Sequence, residues 1–412
     1  MQTTLLKNQV SEAQAMAYYN TILGQFVTAI SRDHFQIIVN RYKGDYRVHN
    51  FSCWAQLIVM IYAQIDDKES LRDLETGILS KKKFFRQLGV ENAPRSTISH
   101  TNSKRNWKIY RDLFQELVKL CQENSPKHSF RFDHDLQALD ATTIKLCLKL
   151  FPWAKFRRRK GALKIHTLYK YSGEIPSFIN ITDGKTHEIR VARELNFEPD
   201  SITVFDRAYI DFSWLYSIHK KLAYWLTRAK RNLSYVVVRK PDRSLPPLSA
   251  TARKRGVLKD QMIRIVGRRA KDIPIELRLV TYYDAEKKET FQYLTNIFHL
   301  SAWTVTQIYK ARWDIEIFFK WIKQHLKIKT FLGTSETAVY TQIWIAMITY
   351  LLLAYIKHSM KSEFSLLQIH RLIRENMFER IRLVELLQMS KCKASQESKQ
   401  TKSLCQQLFF EF

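Results

Sequence analysis

The pattern of apolar and polar positions changes character twice along the chain. Up to about residue 125 the apolar residues fall at helical spacing, as in FVTAISRDHFQIIV and FSCWAQLIVMIYAQI, and strand-like alternation is scarce. From about residue 130 a period of two takes over. In LQALDATTIKLCL, Leu136, Ala138, Asp140, Thr142, Ile144, Leu146 and Leu148 share one strand face, while Gln137, Thr143, Lys145 and Lys149 mark the other. ALKIHTLYKYSGEIPSFINITDG predicts two further strands joined at Ser172 and Gly173, and HEIRVARELN a short helix. SITVF reads as a buried parallel strand that ends abruptly at Asp206. YVVVRK, MIRIVG, IELRLVTYY and FQYLTN predict a β-rich stretch. Helical spacing returns in YKARWDIEIFFKWIK and in IWIAMITYLLLAYI, from Ile343 to Ile356.

This succession predicts an α/β fold built on a mixed sheet. The expected divisions are a helical region over 1–125, the first part of the core over 126–230, a β-rich insertion over 231–299, a second part of the core over 300–345, and C-terminal helices over 346–412 ending in the polar tail KCKASQESKQTKS. The apolar run at Ile343 to Ile356 is shorter than the ~18 to 20 residues that cross a bilayer, so a buried core helix is expected rather than a membrane span. No N-terminal stretch joins a short basic region to an apolar run, so no signal peptide is expected.

Charge narrows the partner. The 412 residues carry 67 Lys and Arg against 39 Asp and Glu, a net charge of +28, which points to a polyanion, with nucleic acid first and a membrane surface second. Cys53, Cys121, Cys147, Cys392 and Cys405 form no CxxC pair, which reads as an intracellular, cytoplasmic protein with structural cysteines. Near the N-terminus, KKKFFRQL, the turn LGVENAPR and STISHTNSKRNWKIYRDLF suggest a helix-turn-helix, with Ser96 or Thr97 as N-cap and Lys104 and Arg105 as DNA contacts. The same pattern fits an ordinary helical hairpin with a solvated basic end.

Three carboxylates stand in awkward places. Asp140 lies on the apolar side of its strand, where it is either hydrogen-bonded structure or chemistry. Asp206 closes a buried strand, at the end where ligand sites form in open α/β sheets, although a capping Asp fits there too. At about 100° per residue, Tyr309, Arg312, Glu316 and Lys323 share a stripe about 60° wide on one helix. Trp313, Ile315, Ile317, Phe318, Phe319, Trp321, Ile322 and Leu326 make the rest of that helix apolar, as in a helix packed into protein. Taken alone, the stripe also fits a surface helix with a Glu-Arg pair at i, i+4. If Asp140, Asp206 and Glu316 converge, three hard oxygen donors suit Mg²⁺ or Mn²⁺, and two such ions about 3.5 to 4 Å apart can activate a nucleophile and stabilise the leaving oxygen of a phosphodiester. The basic surplus would then neutralise the phosphates brought against an acidic site. Twelve histidines without metal-type spacing argue against a zinc enzyme.

The spacing of Tyr309, Arg312, Glu316 and Lys323 resembles the YREK signature of bacterial insertion-sequence transposases of the DDE type, the insertion-sequence-four-type family. LDATTI around Asp140 and FDRAY around Asp206 extend the resemblance over roughly residues 130 to 350. SLRDL, LGV and RSTISHTNSKR are similar to the helical domain that precedes the catalytic domain in one branch of that family.

The resemblance implies a ribonuclease H-like mixed sheet interrupted by a β-rich insertion, with Asp140, Asp206 and Glu316 as the metal-binding triad for two Mg²⁺ or Mn²⁺ ions. It also implies that Tyr309, Arg312 and Lys323 contact DNA phosphates, with Arg312 orienting Glu316. The implied partners are the inverted-repeat ends of an element, target DNA and a second copy of the chain in a synaptic homodimer, in the bacterial nucleoid. Some relatives stack a flipped base on an aromatic residue. Phe291 or Tyr293 could serve, with stacked core aromatics as the other reading. FRRRKG and RAKRN read equally as backbone contacts or solvated loops, and His187 and Glu188 are weaker candidates. The rival functions are an inactive element-derived DNA-binding protein and a ribonuclease H-like nuclease without strand transfer.

Overall fold

A computed structural model of the protein describes residues 21–157, 160–238 and 245–388. They fall into two compact units: a helical one built from residues up to 125 and from 322 onward, and an α/β one spanning 126–321.

The helical unit opens with α1 (Ile22–Phe26), α2 (Arg32–Arg41), α3 (Cys53–Ile65), α4 (Leu71–Ser80), α5 (Lys82–Gln87), α6 (Arg95–Lys104) and α7 (Lys108–Glu123). Ser31, Ser52 and Ser70 cap α2, α3 and α4 by accepting the N–H three residues on. Every residue of α3 is buried, as its apolar character all round requires. Its Gln56 is satisfied by three side chains: it donates to Asn102 Oδ1 at 2.6 Å, and its Oε1 accepts from Arg105 Nη1 at 2.9 Å and from the Tyr110 hydroxyl at 2.8 Å.

Two expectations are corrected here. Arg105 is no DNA contact: it is 8% exposed, and its guanidinium donates to Gln56 and to the Phe51 carbonyl and faces Asp45. α6 begins at Arg95 behind Pro94, so Ser96 and Thr97 lie inside the helix and neither is the N-cap. The Arg95 N–H is taken instead by the Glu75 carboxylate of α4, at 2.9 Å.

The α/β unit contains β1 (Leu136–Leu146), β2 (Lys155–Arg157), β3 (Lys160–Lys170), β4 (Ile175–Asp183), α8 (Glu188–Ala192), β5 (Ile202–Phe205), α9 (Phe212–Lys220), β6 (Tyr224–Arg228), β7 (Tyr235–Val237), α10 (Ala250–Lys254), β8 (Val257–Ile265), β9 (Leu277–Asp284), β10 (Glu289–Thr295), α11 (Ala302–Ala311) and α12 (Trp313–His325), whose last turn passes into the helical unit. β4, β3 and β1 are antiparallel neighbours, and β5 and β6 follow β1 in parallel. This order, with three antiparallel strands and then two parallel ones, is that of a ribonuclease H-like core. The β3–β4 turn falls where Ser172 and Gly173 predict it, with Gly173 at φ 74°.

The β-rich stretch joins the same sheet. β10 pairs antiparallel with β6, and β9, β8 and β7 continue outward. Within it Arg278 is fully buried, bound at 2.8 Å by each Asp260 oxygen and donating to the carbonyls of Ile297 and Leu300. Such a charge is tolerated inside only when all its donors are occupied.

Both faces of the sheet are covered at its centre. Leu139, Phe205, Tyr209, Trp214 and Leu215 form one apolar cluster with α9. On the opposite face Tyr169 packs against Phe318 of α12, ring centroids 5.4 Å apart. The first half of β1 is therefore buried on both sides, including Gln137, which donates to Thr203 Oγ1 at 3.0 Å. The alternation expected from sequence holds only beyond Thr142.

The helical unit closes with α13 (Glu336–Ser359) and α14 (Leu366–Asn376). α13 is long and apolar enough to cross a membrane, yet 89% of its apolar window is buried inside the protein against α7, α3, α6 and α14. The core-helix expectation therefore rests on this burial and not on length, since the helix is longer than the apolar run at Ile343 to Ile356.

Candidate active site

The parallel register of β1 and β5 ends on the pair Leu139 and Phe205. The next residue on each strand is an aspartate, so Asp140 and Asp206 emerge side by side. Alternation turns both away from the face of Leu139 and Phe205, toward the face on which α12 packs. Asp140 Oδ1 accepts the Ala141 N–H at 2.8 Å, and its Oδ2 lies 3.4 Å from Arg312 Nη1. Asp206 accepts the Arg207 N–H at 2.6 Å and caps the short turn Arg207–Tyr209, so its structural reading also holds.

Arg312 links the acids. Its Nη2 donates to Glu316 Oε1 at 2.5 Å while Nη1 faces Asp140. The helix of the stripe is not continuous: α11 ends at Ala311, α12 begins at Trp313, and Arg312 joins them through tighter i, i+3 bonds to Tyr309 and Ile315. Tyr309 lies beside it, with its ring 4.6 Å from that of Tyr293 and the Arg312 guanidinium 5.9 Å from its centroid.

The electrostatics follow from this crowding. Burial pushes the Asp140 carboxyl up to about 6; the Ala141 N–H and Arg312 oppose the rise, while Glu316 and Asp206 add to it. Burial also raises the Tyr309 phenol, with Arg312 lowering and Asp206 raising it further. Asp140, Asp206, Tyr309, Arg312 and Glu316 thus share one neighbourhood. Lys323 belongs to the helical unit, half-buried, its ammonium lowered by burial and by Lys329. Lys104 is exposed at the end of α6.

Other candidates sort by burial. Phe291 and Tyr293 are 8% and 2% exposed and stacked at 6.3 Å, the core-aromatic reading, with Tyr293 forming the floor under Tyr309. Arg228 of RAKRN lies 4.4 Å over Phe291 and pairs with Glu289. Arg158 and Arg159 of FRRRKG lie outside the described residues, as does the tail KCKASQESKQTKS. Glu188 is held by Lys164 at 3.0 Å, and His187 precedes α8 as its N-cap residue without a side-chain bond.

Sequence reasoning missed two features. Trp313 and Ile317, read as packed, are 57% and 52% exposed, on the solvent side of α12 next to the stripe. Tyr209, at the end of FDRAY, is buried with no partner for its hydroxyl, and its phenol is raised by burial and by Asp140, Glu188 and Asp206.

Among the described residues no three His, Cys, Asp or Glu side chains stand close enough together to hold a metal ion. The Arg312 guanidinium fills the interval between Asp140 and Glu316. The donor set nonetheless fits a hard divalent cation. It consists of carboxylates, and Asp140 is raised in part by its two acidic neighbours, an excess of negative charge that a cation relieves.

Comparison with known proteins identifies the family. The family model of the transposase DDE domain matches residues 131–352, and a domain of unknown function (DUF4372) matches residues 19–91. A protein assigned as a transposase in Sinorhizobium fredii is 33% identical over 283 residues, 69% of this chain and 77% of the relative. Another, assigned as the transposase of insertion sequence element IS5377 in Geobacillus stearothermophilus, is 28% identical over 268 residues, 65% of this chain and 68% of that one. A cryo-electron microscopy structure of a piggyBac transposase synaptic complex with hairpin DNA is a distant likeness, with TM-score 0.42 and 10% identity over 90% of this chain and 80% of that one. With the family model covering more than half of its length, the chain belongs to the transposase DDE domain family and is a DNA transposase of the bacterial insertion-sequence kind.

Proposed function

We propose that Asp140, Asp206 and Glu316 form the metal-binding triad of this transposase, that Tyr309 and Arg312 hold DNA phosphates beside it, and that Lys323 is a further DNA phosphate contact. The observation that carries this reading is the Arg312 bridge. One guanidinium spans Asp140 and Glu316, and Asp206 emerges from the adjacent strand on the same face. A DDE domain implies dependence on a divalent metal. Two Mg²⁺ or Mn²⁺ ions held there supply Lewis acidity at the attacking and leaving oxygens of a phosphodiester.

The chain's own groups do the remaining work. In the state described, Arg312 neutralises two carboxylates. With a cation neutralising those carboxylates, Arg312 would be free to face a phosphate oxygen, where its fork suits bidentate binding. The Asp140 carboxylate, raised by burial and like charge, would be one of the groups to hold such an ion. Tyr309, set on Tyr293, offers its hydroxyl at the same wall.

The protein then binds the ends of its element, hydrolyses the phosphodiester at each end and joins the freed 3′-hydroxyls to target DNA, as a homodimer in the nucleoid of the bacterial cytoplasm. Binding of Mn²⁺, followed by electron paramagnetic resonance at pH 7, tests the triad. The wild type is expected to bind Mn²⁺. Asp140→Asn, Asp206→Asn and Glu316→Gln are each expected to lose about 10-fold or more in affinity. Unchanged binding in all three would remove the triad from the metal site.

A further inference from the structure

We propose that His134 and His299 form a binding site for a divalent transition-metal cation such as Zn²⁺, which staples the start of β1 to the loop between β10 and α11. The site is separate from the carboxylate triad and stands or falls independently of it.

The two imidazoles come from residues 165 apart in sequence, which is why no histidine spacing announces them. Their Nε2 atoms face each other at 2.9 Å, with ring centroids 4.8 Å apart, and the Tyr224 ring packs edge-on against both, at 5.5 and 5.0 Å. β1, β5 and β6 are parallel, and His134, Asp200 and Tyr224 stand at their starts, whereas Asp206 follows the end of β5. The pair therefore lies at the opposite end of these strands from Asp206.

Each imidazole is held in place. His134 Nδ1 lies 2.9 Å from the Asp200 carbonyl oxygen and 3.2 Å from Asp200 Oδ1. A carbonyl only accepts, so Nδ1 carries the proton and the neutral ring presents its lone pair at Nε2. Metal-binding imidazoles have their tautomer fixed in the same manner, by a carbonyl or carboxylate on the far nitrogen. The Asp200 loop is itself tied down: the Asp200 N–H donates to the Leu222 carbonyl at 2.9 Å, and the Ile202 N–H to the Asp135 carbonyl at 2.8 Å. His299 is fixed through its neighbours, because the buried Arg278 donates to the carbonyls of Ile297 and Leu300. The charge of that arginine is already matched by Asp260.

With His134 Nε2 accepting, His299 Nε2 must donate, so one proton lies between two nitrogens. Two nitrogens each about 2.0 to 2.1 Å from a tetrahedral Zn²⁺ stand about 3.3 to 3.4 Å apart, so opening the pair by about 0.4 to 0.5 Å admits the ion. The His299 proton then passes through solvent to its own Nδ1, both rings stay neutral, and water fills the remaining positions. Burial holds the His299 imidazole below its ordinary value, His134 and Arg278 lower it further and Asp200 opposes them, so the neutral ring is the form present near pH 7. Imidazole nitrogen suits Zn²⁺, Ni²⁺ and Cu²⁺, whereas Mg²⁺ prefers the oxygens of the triad. The loop of His299 leads into α11, so the staple fixes the point at which the chain leaves the sheet for the helices of Tyr309 and Glu316.

The test titrates the full-length protein with Zn²⁺ by calorimetry, in excess Mg²⁺ at about pH 7.5. The wild type is expected to bind Zn²⁺, and His134→Gln and His299→Gln each to lose about 10-fold or more in affinity. Zn²⁺ should raise the Tm of the wild type and leave that of both variants unchanged. His100→Gln, at an exposed histidine of α6, should bind as the wild type does. His299 is exposed, so without metal its variant should melt near the wild-type temperature. One equivalent of Cu²⁺ gives a second reading by pulsed electron paramagnetic resonance: couplings to two imidazoles in the wild type, and to no more than one in His299→Gln. Asp140→Asn and Glu316→Gln should keep the Zn²⁺ affinity, which separates this site from the triad. The inference is overturned if both histidine variants keep wild-type Zn²⁺ affinity, if Cu²⁺ in the wild type couples to fewer than two imidazoles, or if Zn²⁺ binding is lost in the carboxylate variants instead.

Discussion

Asp140 is the residue whose environment has the plainest consequence in solution. Its carboxyl is raised to about 6 in the folded protein, chiefly by burial, against about 3.9 in an unfolded chain. A raised folded value means that the native state holds the proton more tightly. The contribution to stability is full below about pH 4 and is lost as pH rises through about 6. Over that window the metal-free wild type should lose up to about 3 kcal/mol relative to Asp140→Asn, read from urea midpoints at pH 4 and pH 7. A difference between the two proteins that stays flat across those pH values would mean that Asp140 is not desolvated as described. Arg312 gives the complementary result. Its removal leaves two carboxylates facing each other, so Arg312→Met should cost about 1 to 3 kcal/mol without metal, a value reduced for the partial exposure of Glu316. Added Mg²⁺ should restore part of the loss. If Mg²⁺ stabilises wild type and variant equally, Arg312 is not standing in for a cation.

Among the elements, the strands and helices of the active face were legible because local patterning specifies them. Asp140 breaks the apolar face of its strand, Asp206 ends a buried run, and Glu316 shares a stripe with two cations. Each stands out within a window of a few residues. What could not be read depends on partners far away in sequence. Arg105 looks like a free basic residue until α3 supplies Gln56 beneath it. The β-rich insertion was legible, but not that it continues the core sheet, with β10 pairing with β6 at Tyr293 and Arg228. Trp313 and Ile317 were misread because helical periodicity gives relative angles and not which side meets water. Arg278 belongs to the same class, and it makes a measurable prediction for the outer sheet. With its guanidinium wholly buried on Asp260, Arg278→Ala should cost about 3 to 5 kcal/mol in thermal or denaturant unfolding. A loss under about 1 kcal/mol would show that the outer strands do not depend on the pair.

For the whole molecule, the chain combines a net charge of +28 with an acidic site. Affinity for any duplex should therefore be steeply salt-dependent, falling about 1000-fold between 50 and 200 mM salt if six or more phosphates are engaged. A flat salt response would remove DNA as the partner of that charge. The decisive measurement is end processing itself: purified protein with Mg²⁺ and a linear duplex that carries the element ends next to a supercoiled target. The wild type is expected to yield nicked ends and end-to-target joints, both lost in Glu316→Gln and in Asp140→Asn with DNA binding intact. Cleavage and joining that survive Glu316→Gln would contradict the assignment of Asp140, Asp206 and Glu316 as the metal-binding triad.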